Sequence, residues 1–205
     1  MKQLHIITPV KDSIELTLQT IESILSSDFT VPYHYYVYND FSTDENTARL
    51  REASEKMGFE LINLSDLTDH PSPNYLLILQ TAQQKAIAAD AGLLIVESDV
   101  IVKKHTLQSL FDGALTRPDC GIAAAVTVDE QENINYPYLY AKGKEGKVFP
   151  EKKHVSFCCS LLTVSFLKAF DFHQLDPEKN WHDVTISHRS LEKGFTNYLF
   201  TTLTV

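Results

Sequence analysis

Residues 93–100 read Leu93-Leu94-Ile95-Val96-Glu97-Ser98-Asp99-Val100. Four consecutive apolar residues predict a strand buried on both faces, as in a parallel sheet. Two carboxylates, one residue apart, sit where that strand ends. Side chains two apart on an extended segment point the same way. Ligands of open α/β sheets gather outside the carboxyl ends of the strands. Glu97 and Asp99 there repel each other unless something positive lies between them, and a divalent cation with oxygen ligands fits that need. The plain alternative is two solvated acids in a turn, so the rest of the chain has to decide.

Outward from this stretch, strands and helices alternate. Tyr75 to Ala89, rich in Leu, Ala and Gln, reads as the helix leading into the acidic strand. Ser65 to Asn74, with Pro71 and Pro73, reads as a loop. Further back, Leu4 to Val10 is a strand closed by Thr8-Pro9-Val10, since proline cannot donate to a ladder. Asp12 or Ser13 can cap a helix whose stripe is Ile14, Leu18, Ile21 and Leu25. Tyr33 to Tyr38 is β-rich and ends in the turn formers Asn39 to Asp44. Asp44 to Met57 reads as a helix stopped by Gly58, with Phe59 to Leu64 a short strand after it. Downstream, Thr106 to Leu115 is a helix and Gly121 to Val128 a strand. Asp129 to Lys153 is a long excursion with at most a hairpin, carrying Tyr136, Tyr138, Tyr140 and five lysines. Val155 to Val164 is apolar again, and Ser165 can cap a short helix through Phe170. Trp181 to Lys193 reads as a helix with Val184, His188 and Leu191 on one side, and Tyr198 to Val205 as a last strand. The alternation predicts one α/β domain around a mostly parallel sheet.

The totals narrow the function. A chain of 205 residues with 43% apolar and 22% charged content is long enough for one well-packed domain. A formal charge of −9 argues against nucleic-acid binding. No apolar run approaches the length of a membrane span, and the N-terminus lacks a signal peptide's longer apolar core. Three cysteines, Cys120, Cys158 and Cys159, form no CxxC and no disulfide framework, which fits a reducing compartment. Cys158 and Cys159 read as small buried residues. The seven glycines form neither G-x-G-x-x-G nor a Walker loop, and there is no G-x-S-x-G or H-E-x-x-H. His182 and His188 fall on different faces of their helix. Three acidic stations remain: Asp40, Glu97 with Asp99, and Asp183 at the start of the last helix, where the dipole favours the ionised form. Each has a plain reading as well, Asp40 as a turn former and Asp183 as a cap.

Order and spacing bring a family into view. The chain resembles the family 2 glycosyltransferases, which have the GT-A fold. The likeness runs through Ile6-Ile7-Thr8-Pro9-Val10-Lys11-Asp12, the helix Thr20 to Leu25, Asn39-Asp40-Phe41-Ser42-Thr43-Asp44, Glu97-Ser98-Asp99 and His182 to Arg189. It implies a Rossmann-like nucleotide-binding half, 1–100, and an acceptor-binding half, 101–205. Thr8, Pro9 and Val10 would border the nucleotide, with Asp40 at its base and Glu97 near its ribose and metal. Asp99, with Glu97, would ligate Mn²⁺ or Mg²⁺ on the donor diphosphate. Asp183 would be the general base of an inverting transfer. Trp181, beside it, could stack on an acceptor sugar. The implied partners are a nucleoside diphosphate sugar and a glycan or glycolipid acceptor of cell-surface polysaccharide synthesis. The implied setting is cytoplasmic, with peripheral association at the inner face of the membrane.

Departures from the family pattern are specific. Asn39 stands for the first acid of the early pair and Phe41 for its glycine. Glu97 stands for the commoner Asp, and His182 for Glu. Gln83, Gln84 and Lys85 lie where a basic stretch is common, and the excursion's lysines could supply that charge instead. No histidine follows the last strand to complete a metal shell, which suggests a shortened chain or substitution by His154, His173, His182 or water. The rival reading is a non-catalytic member binding a nucleotide sugar or glycan. A nucleotidyltransferase would carry a glycine-rich basic first loop, and Thr8 to Ser13 has no glycine.

Overall fold

The computed structural model describes residues 1–205. Strands β1 (Leu4–Val10), β2 (Tyr33–Asn39), β3 (Glu60–Asn63), β4 (Gly92–Val96), β5 (Cys120–Val126), β6 (Val148–Glu151), β7 (Cys159–Leu162) and β8 (Thr196–Thr204) form one sheet. Its order is β3-β2-β1-β4-β7-β5-β8-β6. Six strands run the same way. β7 lies antiparallel between β4 and β5, and β6 lies antiparallel along β8 at the edge. The C-terminal ends of β1, β2, β4, β5 and β8 therefore share one edge of the sheet, and β7 begins there.

Helices α1 (Ile14–Leu25), α2 (Asp44–Met57), α3 (Tyr75–Ala88), α4 (Thr106–Leu115), α5 (Val164–Ala169) and α6 (His182–Glu192) complete the domain. Apolar strand residues alternate between two cores. Leu4 and Ile6 pack with Ile21, Leu50 and Leu110 on one face, and Ile7 and Leu93 with Ile78, Phe166 and Ile186 on the other. The expected run Leu93–Val96 is wholly buried because helices cover both faces. No helix is long and apolar enough to cross a membrane.

Several local expectations are corrected. Ser13 adopts a left-handed conformation and does not cap α1, while Asp12 accepts hydrogen bonds from Thr43 N and Asn46 Nδ2 across the neighbouring loop. Thr163, not Ser165, caps α5 through Phe166 N. The excursion opens on a single antiparallel bridge, Val128 to Ile134, within the expectation of at most a hairpin, but it also contributes the strand Val148–Glu151, which pairs with β8. α6 buries His182, Ile186, Ser187 and Ser190, while His188 is exposed. Small hydroxyl residues form that face because the helix lies close to β5. A β-carbon on Gly121 would stand 2.1 Å from Ser190 Oγ.

Candidate active site

The carboxyl edge of the sheet holds the largest cavity, about 600 Å³. Glu97 and Asp99 enter it from the turn after β4, Thr127 and Val128 from the end of β5, and Val205 from the end of β8. Ser156 and Cys158 arrive from the other direction, because antiparallel β7 starts at this edge. Trp181 and Asp183 come from the start of α6, Asn135 and Tyr136 from the excursion, and His154 from the residue just after it.

The acidic turn is held at both ends. Glu97 N donates to Cys158 O at 3.0 Å, and Val100 N to Glu97 O at 3.2 Å. Val100 and Val102 are buried in the core beneath. This short, anchored loop fixes the backbone of Glu97 and leaves Asp99 exposed at the cavity. Tyr75, the first residue of α3, donates its hydroxyl to Glu97 Oε1 at 2.8 Å. The His182 ring stacks on Tyr75 at 6.4 Å between centroids. Both rings also line a second cavity, of about 500 Å³, so the stack forms a wall beside the site.

The electrostatics of the site are one-sided. Burial pushes the Glu97 carboxyl up to about 7, with Asp99 and Asp183 acting in the same direction and the Tyr75 hydroxyl opposing them. Burial, and then Glu97 and Asp183, raise the Tyr75 phenol far above its ordinary range. Burial lowers the imidazole of His182, although Asp183 opposes this. No lysine or arginine lines the cavity. None of Glu97, Asp99 and Asp183 belongs to an ion pair. Asp183 Oδ1 accepts only from Val184 N, at 2.8 Å, in the first turn of its helix. Three carboxylates without a counter-charge suit a hard divalent cation. No three His, Cys, Asp or Glu side chains are grouped closely enough to cage one unaided. A cation here would have to share its shell with ligand oxygens or water.

The structure thus brings together Glu97, Asp99, Asp183 and Trp181 from separate segments. It does not bring Thr8, Pro9, Val10 or Asp40 to this cavity. Thr8 is buried with its hydroxyl 2.9 Å from Tyr35 Oη, and Val10 lies in the core. Asp40 is buried too. Its Oδ2 accepts from Ser72 Oγ and Asn74 N, and its Oδ1 from Asn74 Nδ2, each at 2.8 Å. It pins the residue preceding Tyr75, which in turn holds Glu97, so Asp40 reaches the site through structure. Phe41 has φ +57°, the left-handed conformation that a glycine would adopt without strain, so the turn is kept despite the substitution. Of the histidines considered for a metal shell, only His154 lines the cavity. His173 bonds Asp171 on the far side of α3, and His182 packs on Tyr75. Cys159 is buried as expected, whereas Cys158 is half-buried at the cavity wall.

No family model matches the chain, and no curated protein matches it by sequence. Solved structures do match. TarS residues 1–349 from S. aureus superposes with a TM-score of 0.66 at 17% identity, over 100% of this chain and 58% of that one. The same protein has been solved in complex with UDP, matching with a TM-score of 0.63 over 100% of this chain and 61% of that one, again at 17% identity. The mannosyltransferase PcManGT from Pyrobaculum calidifontis, in complex with GDP-Man and Mn²⁺, gives 0.68 at 13% identity, over 98% of this chain and 55% of that one. The chain spans little more than half the length of these proteins. At such identities the match defines the fold: a mixed α/β domain of the GT-A type, with an eight-stranded central sheet flanked by helices.

Proposed function

We propose that the chain is a glycosyltransferase domain of the family 2 type that transfers a sugar, with inversion, from a nucleoside diphosphate donor to a hydroxyl of a glycan or glycolipid. One observation carries the reading. Glu97, Asp99 and Asp183 open onto one cavity that no lysine or arginine lines. The fold neighbours add support, one having been solved with UDP and another with GDP-Man and Mn²⁺.

Asp99 and Glu97 would hold the divalent cation, which when bound offsets the charge of the departing diphosphate. Glu97 is steadied for this by Tyr75, and Asp99 is exposed at the cavity. Asp183 is the proton acceptor. As the acceptor oxygen bonds to the anomeric carbon and the bond to diphosphate breaks, its proton passes to Asp183. Trp181 offers a flat face to the acceptor beside the base.

The test is release of nucleoside diphosphate from a panel of UDP- and GDP-sugars with Mn²⁺ and mixed glycan acceptors. Turnover is expected to disappear with chelator and in Asp99→Ala. Asp183→Asn is expected to lose about 10²–10⁴-fold in rate while still binding donor. Turnover indifferent to both substitutions refutes the proposal. One observation favours a binding module of the same fold instead: Thr8, Pro9, Val10 and Asp40 are all committed to internal contacts. That reading gains if nucleotide sugars bind without turnover under every condition.

A further inference from the structure

The second cavity, of about 500 Å³ behind the Tyr75–His182 stack, differs in character from the acidic one. The first turn of α3 opens onto it. Tyr75, Leu76 and Leu77 all line it, and their backbone amides have no acceptor within the protein. A helix of fourteen residues thus presents free donors and the positive end of its dipole there. A capping side chain usually satisfies such amides, and here it is committed elsewhere. Asn74, the N-cap residue, makes no capping bond, because its Nδ2 donates to Asp40 Oδ1 and His70 O. Asp40 accepts from Asn74 N and leaves the next three amides free. A second group, from a different element, points to the same kind of ligand. The His182 ring lines this cavity and is only 7% exposed. Neither of its nitrogens has a hydrogen-bond partner, and neither is sealed from solvent. Buried polar groups are nearly always paired, so these donors call for an acceptor from outside. Glu178, an exposed residue, is the only acid lining the cavity.

We propose that the first amides of α3 and the His182 ring form an oxyanion subsite, which holds a carboxylate or phosphate substituent of a sugar substrate next to the acidic cavity. That a sugar bears the anion rests on the glycosyl-transfer reading; the anion site rests on the donors alone. Amides at the start of a long helix suit an anion in both geometry and charge. The imidazole adds an N–H from the side, which it carries in either protonation state. A neutral hydroxyl could accept from one of these groups, but only an oxyanion also balances the dipole. The acidic cavity needs a cation before it can take a diphosphate, whereas this one takes its anion without metal. The Tyr75 hydroxyl turns the other way, to Glu97, so the two cavities share that residue and no donor. Glu178 opposes the anion by its charge, and removing that charge strengthens the hold.

The experiment follows the backbone amides of Tyr75, Leu76 and Leu77 and the His182 ring nitrogens by heteronuclear NMR of the intact chain, at constant ionic strength and without metal. The probes are inorganic phosphate and acetate, then methyl glucuronide, glucose phosphate and neutral methyl glucoside. Melting with UDP or GDP and Mn²⁺ is recorded in parallel. Saturable shifts at these groups are expected with phosphate or acetate and with the sugar bearing the same anion, and none with methyl glucoside. The glucuronide and the sugar phosphate tell which oxyanion the subsite takes. His182→Phe, which keeps a ring against Tyr75, should weaken binding about threefold to tenfold. Glu178→Gln, an exposed change, should tighten it about twofold to fivefold. No saturable shift with any anion overturns the subsite, and nucleotide-induced stabilisation then spares the transferase reading. Shifts indifferent to both substitutions, or equally strong with methyl glucoside, also overturn it, as does binding of phosphate or acetate with neither charged sugar. Binding of a charged sugar without any nucleotide response supports the subsite and removes the transferase reading.

Discussion

Glu97→Gln should stabilise this protein when no metal is present, although it removes a residue the proposed activity needs. Burial beside Asp99 and Asp183 lifts the Glu97 carboxyl from 4.5 to about 7. A raised carboxyl favours the protonated form in the fold. Stability from this group is complete below about pH 4.5 and is lost as pH rises from there through about 7. Each tenfold shift is about 1.4 kcal/mol, so the ionised Glu97 costs up to about 3 kcal/mol at about pH 8. Partial solvent access lowers this to about 1–3 kcal/mol. Glutamine removes the charge and keeps an oxygen to accept from Tyr75. In a chain of this size that corresponds to a rise in melting temperature of roughly 2–12 °C. Thermal denaturation in chelator, at about pH 5 and about pH 8, measures it. The variant should melt higher at the alkaline value and close to wild type at the acid one. With Mn²⁺ and nucleoside diphosphate the order should reverse, because the cation stabilises only the carboxylate form. An equal gain at both pH values, or none at either, refutes the electrostatic account of the site.

Tyr75→Phe removes the one hydroxyl that steadies the Glu97 carboxylate, at a cost of about 1 kcal/mol. It should also push the alkaline loss of stability to higher pH, as read from the same melts. Asp40→Ala strands Asn74 and Ser72, whose donors now meet in one buried carboxylate. A loss of about 2–4 kcal/mol is expected in denaturant titration. Because Asn74 precedes Tyr75, nucleotide turnover should fall as well, even though Asp40 lines no part of the cavity.

Much of the fold could be read in the chain because its signals are local. The apolar run Leu93–Val96, the stripe through Ile14 and Ile21, and Gly58 after α2 each report on their own neighbourhood. Sheet order is a non-local property. Nothing in Val155 to Val164 announces that β7 inserts antiparallel between β4 and β5, yet that insertion delivers Ser156 and Cys158 to the site. The strand alternation across Cys158 and Cys159 held a hint, since adjacent residues cannot both face one core. Glu97, Asp99, Asp183 and Trp181 were visible as acids and an aromatic at the ends of elements. Tyr75 was not, because its role depends on which residue stands opposite it. Asp40 shows the reverse case: a carboxylate at a strand end looks free in sequence and is wholly engaged in the fold. Phe41 was legible as a missing glycine, and the structure keeps the left-handed turn all the same.

The most direct test of the shared acidic cavity is the electron paramagnetic resonance signal of free Mn²⁺, titrated with this chain in the presence of UDP or GDP. The protein and the nucleotide together should quench the signal beyond the sum of their separate effects, and Asp99→Ala should remove that excess. Quenching that is merely additive, or that survives intact in Asp99→Ala, would show that these carboxylates do not hold a cation against a diphosphate.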